Sequence, residues 1–271
     1  MAFITKSDIS TTCDFGSQMS QYASMISISK KFNHEILFIE EKINIRWKLP
    51  LKEPFIHKPK IISIHDFKDL KLNKFTGNIL ESPLDPNLNY DLQIDLGSFT
   101  NFHEIREEIL EIYRFKKEIF EFSKNYIEKL KTNDNDLLVS IHFRRGDYLQ
   151  FSSLNLSMDY YIEAINNITS KYSDYNLKFL VFSNDIEWCK ENIVGECIFV
   201  ENLDRYQDMC IMSLCDHNII ANSSFSWWGA YLNKSLNKTV ICPHDYLNVP
   251  EINHLVNGKY YPKEWTALNT I

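Results

Sequence analysis

Glycine is scarce in this chain, with seven among 271 residues, well under half the usual ~7% share. Neither a GxGxxG dinucleotide turn nor a GxxxxGK(S/T) phosphate loop is present. Any phosphate must then be held by arginine side chains, hydroxyls and helix N-termini. Cysteine is sparse and scattered: Cys13, Cys189, Cys197, Cys210, Cys215 and Cys242 form no CxxC pair and no His/Cys metal spacing. Most sit among apolar neighbours, where a free thiol behaves as a small hydrophobe, so no disulfide and no metal site are expected. Basic excess is missing too. A formal charge of -7 argues against a nucleic-acid partner, since such proteins need a net basic face; a phosphorylated small molecule needs only local arginines. No stretch nears 18 uninterrupted apolar residues, and the start, Met1 to Asp8, lacks the basic segment plus apolar run of a secretion signal. A cytoplasmic protein with at most peripheral membrane association is expected.

What is there can build a substantial core: 44% of the residues are hydrophobic, and 271 residues suffice for two modest α/β domains or one large one. The second half alternates simply. Strands are expected at Leu137–Ile141, Leu177–Phe182, Cys197–Val200, Asn218–Ala221 and Thr239–Cys242, with helices at Ser157–Tyr172, Asp185–Glu191, Asp204–Cys215 and Ser224–Asn233. Such spacing implies βαβ units and a parallel, Rossmann-like sheet. In the first half, Met19, Tyr22, Ala23, Ile26 and Ser29 share one face of a helix over Gln18–Phe32, followed by strands at Ile36–Ile39 and Ile61–Ile64. Residues from Phe102 to about Lys131 read as a long charged helix or a helix pair. The polar run Thr132 to Asp136 is the candidate linker, giving domains at 1–135 and 136–271, with a closing helix able to pack back onto the first.

The segment richest in chemistry is Val139-Ser140-Ile141-His142-Phe143-Arg144-Arg145-Gly146-Asp147-Tyr148. A buried strand ending here delivers its charged cluster to the carboxyl edge of an α/β sheet, where ligands bind. In extended backbone Arg144 and Arg145 point to opposite sides, so one can fork onto a phosphate while the other is held by a carboxylate such as Asp147. The plainer alternative is a surface ion pair at a strand end. A second segment, Asn222-Ser223-Ser224-Phe225-Ser226-Trp227-Trp228-Gly229-Ala230, opens a helix, so its hydroxyls and amides gather where the helix dipole favours an anion. Ser224 or Ser226 can equally be a simple cap. Trp227 and Trp228 read as core packing, because adjacent helical residues cannot both face one cleft. A third, Asp14 to Ala23, is a small-residue turn opening the first helix.

Taken together and in order, the segments Phe15–Ala23, His142–Tyr148 and Asn222–Asn233 resemble those of the inverting α-1,2-fucosyltransferases of glycosyltransferase family 11, which carry GGLGNQMFQYA, HxRRGDY and NSSFSWWGAWLN motifs in comparable positions. The resemblance implies a GT-B-like α/β fold, two Rossmann-like domains facing a cleft, with GDP-fucose held by the C-terminal one and no cofactor. It implies that Arg144 meets the β-phosphate and that His142 lies against nucleotide or sugar. Arg145, Ser223, Ser224, Phe225 and Ser226 would complete the phosphate and nucleoside cradle. Asp208 falls where related enzymes read guanine with a carboxylate, which accepts N1–H and N2–H together; the alternative is an exposed helical charge. Gly16, Ser17 and Gln18 would border the cleft. The acceptor would be an oligosaccharide or a lipid-linked glycan, and another GDP-linked 6-deoxy sugar such as colitose is an alternative donor. A catalytically weak glycan-binding relative is also open.

The first motif departs from the family pattern: Asp14 stands for a glycine and Ser17 for the asparagine. Inversion needs in-line attack by an acceptor hydroxyl helped by a base. Asp14 is the leading candidate, Asp147 the second, and no dedicated base the third. Asp134-Asn135-Asp136 fits a metal-binding DxD, but it falls in the expected linker, and no metal is assigned.

Overall fold

The computed structural model describes residues 2–9, 14–39, 54–63, 71–77, 79, 82–246 and 260–269. Cys13, Ile64 and Ile271 of the sequence reading lie outside them. The chain forms two compact units, Met1–Phe115 and Lys116–Ile271.

In the first unit the order is β1 (Phe3–Thr5), α1 (Phe15–Phe32), β2 (Glu35–Ile36), β3 (Phe38–Ile39), β4 (Ile61–Ile62), β5 (Asn73–Phe75), β6 (Tyr90–Leu92) and α2 (Arg106–Ile112). Four strands make a parallel sheet in the order β2-β1-β6-β5, and β3 pairs with β4 separately. The strand expected over Ile36–Ile39 is thus divided at Leu37, whose N–H still reaches Ile4 O. Helix α1 begins three residues earlier than its apolar periodicity indicates, because Asp14 is extended and its carboxylate accepts the Ser17 N–H at 3.0 Å. It ends on Asn33 in the left-handed region, whose N–H returns to Ser29 O, with Lys30 and Lys31 in the last turn facing the negative end of the dipole. The helix buries more than the expected stripe: Gln18, Ser20, Gln21 and Ser24 are buried along with Met19, Tyr22, Ala23 and Ile26.

The second unit contains α3 (Lys117–Leu130), β7 (Asp136–Phe143), α4 (Met158–Lys171), β8 (Asn176–Ser183), α5 (Ile186–Asn192), β9 (Cys197–Phe199), α6 (Arg205–Leu214), β10 (His217–Ile219), α7 (Ser224–Leu232), β11 (Val240–Pro243) and β12 (Thr266–Leu268). Its six strands are all parallel, ordered β12-β11-β10-β7-β8-β9. The long charged stretch before β7 is a helix pair, α2 and α3, split between the two units, and α3 packs on α6. Among the described residues the chain closes on β12, an edge strand beside β11, where a closing helix was expected. The run Thr132 to Asp136, expected to be a linker, is a hydrogen-bonded turn. Asp136 accepts from the Thr132 and Asn133 amides, the Thr132 hydroxyl, Asn176 and Lys178. The Lys178 bond is the largest cause holding its carboxyl far below the usual range. Four of these donors fall on Oδ2 and one on Oδ1, so the carboxylate is already committed to the turn.

Strand β7 is the axis of this unit. Its alternation sends Val139, Ile141 and Phe143 to a core made with Tyr160, Tyr161, Ala164 and Ile168 of α4. Leu138 joins the opposite core with Ile127 of α3 and with Ile211 and Met212 of α6. Ser140 and His142 share Leu138's face by period two. Chain progression runs outward from β7 through β8 to β9, then returns to β10 on the other side of β7 and continues to β11 and β12. The order therefore reverses between β7 and β10, and the carboxyl ends of these two strands form the topological switch point where open α/β sheets bind ligands.

Candidate functional site

The switch point receives two of the three sequence segments. His142, one residue before the end of β7, is buried, with its ring 5.6 Å from that of Phe225, the second residue of α7. Tyr148, six residues on, donates its hydroxyl to Asn222 O at 3.2 Å, and the Asn222 side-chain N–H reaches Leu154 O at 3.0 Å. The loops after β7 and β10 are thereby tied together.

Burial, and secondarily the Arg144 charge, push the His142 pKa down to about 3, so the imidazole is neutral at physiological pH. Its Nδ1 has no hydrogen-bond partner. Arg144 lies with its guanidinium 5.1 Å from the Tyr148 ring, and Nη2 faces both Asp147 oxygens at 2.8 and 3.0 Å. Its Nε is buried and unpartnered. The Asp147 carboxylate is mostly exposed, so this pair contributes on the order of 1 kcal/mol or less and is a weak competitor for an incoming phosphate.

At α7, the N-cap is Ser223, neither Ser224 nor Ser226: its hydroxyl accepts the Phe225 N–H at 3.4 Å. Ser226 is buried and donates to Ser223 O at 3.4 Å, while Ser224 is half-buried in the first turn. The amino end of α7 thus stands beside Arg144's loop with its dipole aimed outward from the sheet. Trp227 and Trp228 are core, packed edge-to-face at 5.0 Å, and the Trp227 indole N–H is satisfied by Tyr260 O.

Asp208 is in the first turn of α6, a helix opened by a capping box on Asp204 and Gln207 and packed on α7. It is not a fully solvated helical charge: the residue is half-buried and its Oδ1 is shielded from solvent. Desolvation, then Asp204, raises its pKa to about 7, and its Oδ1 has no partner. An unpaired buried carboxylate is costly unless something donates to it. Asn222 Oδ1 is in the same position. It was not singled out from sequence, although it opens the NSSF segment. Four buried polar atoms lacking partners, on His142, Arg144, Asp208 and Asn222, therefore lie along the carboxyl edge of one sheet.

Arg145 is the arginine held by a carboxylate, as one of the pair was expected to be, but the carboxylate is Asp185 and not Asp147. Its Nε donates to Asp185 at 3.1 Å and its guanidinium lies 3.4 Å above the Trp188 ring, so it faces α5, away from the α7 side. In the other unit, Gly16, Ser17 and Gln18 form the first turn of α1 under the Asp14 cap, with Gly16 and Gln18 buried.

The profile of glycosyl transferase family 11 matches residues 2–269. An α-1,2-colitosyltransferase of Escherichia coli is 36% identical over 141 residues, 48% of this chain and 47% of that protein. The O-antigen biosynthesis glycosyltransferase WbnK of Escherichia coli is 26% identical over 85% of this chain and 91% of its own length. Galactoside α-(1,2)-fucosyltransferase 1 of Ateles belzebuth is 27% identical over 80% and 63%. The chain thus spans about half of the first of these relatives and most of the second. Among solved structures, POFUT1 in complex with GDP-fucose aligns with a TM-score of 0.56 at 13% identity, covering 88% of this chain and 97% of that one. The fucosyltransferase NodZ from Bradyrhizobium aligns with a TM-score of 0.59 at 10% identity, covering 85% and 93%. The α/β, GT-B-like class expected from sequence holds, and the chain belongs to glycosyl transferase family 11.

Proposed function

We propose that the protein is an inverting glycosyltransferase that moves L-fucose from GDP-fucose to a hydroxyl of a galactoside-type glycan, forming an α-1,2 link. The observation that carries this reading is the meeting of the His142–Tyr148 and Asn222–Ser226 segments at the switch point between β7 and β10, where buried polar atoms await partners. Arg144 is assigned to the β-phosphate, with the amino end of α7 and the hydroxyls of Ser223, Ser224 and Ser226 beside it. His142 and Phe225 are assigned to the nucleoside or sugar. Gly16, Ser17 and Gln18 are assigned to the acceptor side. Asp14 is assigned as the general base, with Asp147, paired with Arg144 in the free protein, as the second candidate and no dedicated base as the third. The names of the relatives support both fucose and colitose as the donor sugar, and phosphate and guanine contacts do not distinguish them.

Diphosphate departure in this reading uses arginine and helix-end charge in place of a divalent ion. The acceptor, an oligosaccharide or lipid-linked glycan, is taken to be met in the cytoplasm with at most peripheral membrane contact. No helix among the described residues is long and apolar enough to cross a membrane. Incubating purified protein with GDP-fucose or GDP-colitose, a panel of β-galactosides and excess EDTA tests the whole assignment. An α-1,2-linked product from one donor, undiminished by EDTA, is expected. Activity lost on chelation and restored by manganese would overturn metal independence, and no turnover of either donor would overturn the enzymatic reading.

Asp208 is assigned to guanine. Guanine's N1–H and N2–H need the ionised carboxylate, which in the free protein is half protonated near pH 7. Affinity for GDP should therefore rise between pH 6 and 8 and level off above. Asp208→Asn should flatten that profile and weaken GDP by about 10- to 150-fold, the ~1.5–3 kcal/mol of a charged hydrogen bond. Calorimetric titration of both proteins across this range would refute the assignment if the wild-type profile were flat.

A further inference from the structure

Strands β7 and β8 run in register to their ends, with Phe143 beside Ser183. Beyond that pair, the amide and the side chain of Arg145 turn to the β8 side, while its carbonyl accepts the Tyr148 N–H. Its backbone N–H donates to Asn184 Oδ1 at 2.9 Å, its Nε donates to Asp185 Oδ2 at 3.1 Å, and its guanidinium lies face-on over Trp188, 3.4 Å from the ring centroid. Asp185 is itself fixed, its N–H bonded to Ser183 Oγ at 3.0 Å at the start of α5. Trp188 also packs on Phe143, which stacks on Tyr161 at 3.9 Å. The next residue, Gly146, has φ +54°, and a Cβ there would collide with the Asn184 amide. Only glycine suits both that backbone and that approach.

The turn leaving β7 is therefore held at three successive points: the 145 amide, the 145 side chain and the 146 backbone. Because successive side chains leave an extended strand on opposite sides, anchoring Arg145 on α5 directs Arg144 the other way, toward Tyr148 and α7. We propose that Arg145 is a positioning residue: clamped by Asn184, Asp185 and Trp188, it sets the presentation of Arg144 and makes no contact with the nucleotide. The inference rests on the phosphate role assigned to Arg144 above. It gives the Asn184–Trp188 segment, which no sequence motif pointed to, a part in the reaction.

The test is a double-mutant cycle. Trp188→Leu removes the aromatic face and keeps apolar bulk; Asn184→Ala removes the acceptor for the Arg145 amide; Arg145→Lys keeps charge and loses the planar stack. Each is made alone and in the Arg144→Ala background, with kcat, KM, GDP dissociation constant and thermal midpoint measured on one preparation. Misplacement of a catalytic group by about 1 Å costs up to ~100-fold. All three variants should thus lower kcat by about tenfold to a hundredfold and weaken GDP in parallel, with KM for the acceptor unmoved. In the Arg144→Ala background they should change kcat and GDP affinity less than about twofold, since coupled residues are non-additive. Equal losses in both backgrounds would mark a general structural role and overturn the proposal. So would an Arg145→Lys that weakens GDP while Trp188→Leu and Asn184→Ala leave it intact, the pattern of a direct contact. Should the wild type bind GDP but move neither sugar, the transfer reading falls, and the GDP arm of the cycle still decides the coupling.

Discussion

Arg144→Ala is expected to lose transfer by at least two orders of magnitude while leaving the thermal midpoint nearly unchanged. The argument starts from where charge appears. As the glycosidic bond breaks, the departing diphosphate gains negative charge, and a preorganised donor beside it is worth about 3–4 kcal/mol, or a hundredfold and more in rate. Arg144 is prepared for this: its ring-stacked guanidinium has a buried, unpartnered Nε and only an exposed carboxylate to leave. Folding should not suffer, because that surface pair contributes little. Arg144→Lys should be nearly as damaging, since a point charge does not replace a planar fork. Steady-state kinetics with GDP-fucose would refute the role if either variant kept half the wild-type kcat.

Asp14→Asn is expected to lower kcat by about 10²–10⁴ with GDP affinity unchanged, the loss of a general base. The substitution separates two jobs. Asparagine caps a helix about as well as aspartate, so the bond to the Ser17 N–H survives and α1 keeps its start. What disappears is the capacity to take a proton. Asp14→Ala should add a stability loss of about 0.5–2 kcal/mol from the missing cap. If Asp14→Asn turns over normally while Asp14→Ala melts earlier, Asp14 is a cap alone and leaves the mechanism.

Strands β7 to β11 of the second unit were legible in the sequence because each is a short, mainly apolar run next to a helix of ordinary length; β12, three largely exposed residues, was not. The observed bounds fall within a residue or two of the expected ones, the scatter of any helix or strand end. The first unit was not. β1, β5 and β6 are three residues each, too short for period two to register, and only pairing in a parallel sheet defines them. α1 was read too short because its first turn is fixed by the Asp14 carboxylate and not by apolar spacing. In the site, residue types and spacing placed His142, Arg144 and the opening of α7 at one edge. Which serine caps α7, and which carboxylate holds Arg145, depends on side-chain directions across neighbouring strands. Asp208 was ambiguous for the same reason: its helix was predictable, but the burial that raises its pKa comes from tertiary packing.

Strand β7 has a further consequence for how this protein comes apart. It is paired along its whole length with β8 and also with β10, and its side chains reach both cores. Its amides can exchange with solvent only when the entire second unit opens, at close to the global unfolding free energy. Asp147 and Tyr148, by contrast, ride a single short 3₁₀ turn that can fray at small cost. Arg144 sits at the junction. Its root follows directly on the doubly paired strand and its tip lies on the short turn, so movement of that turn leaves the foundation of the residue in place.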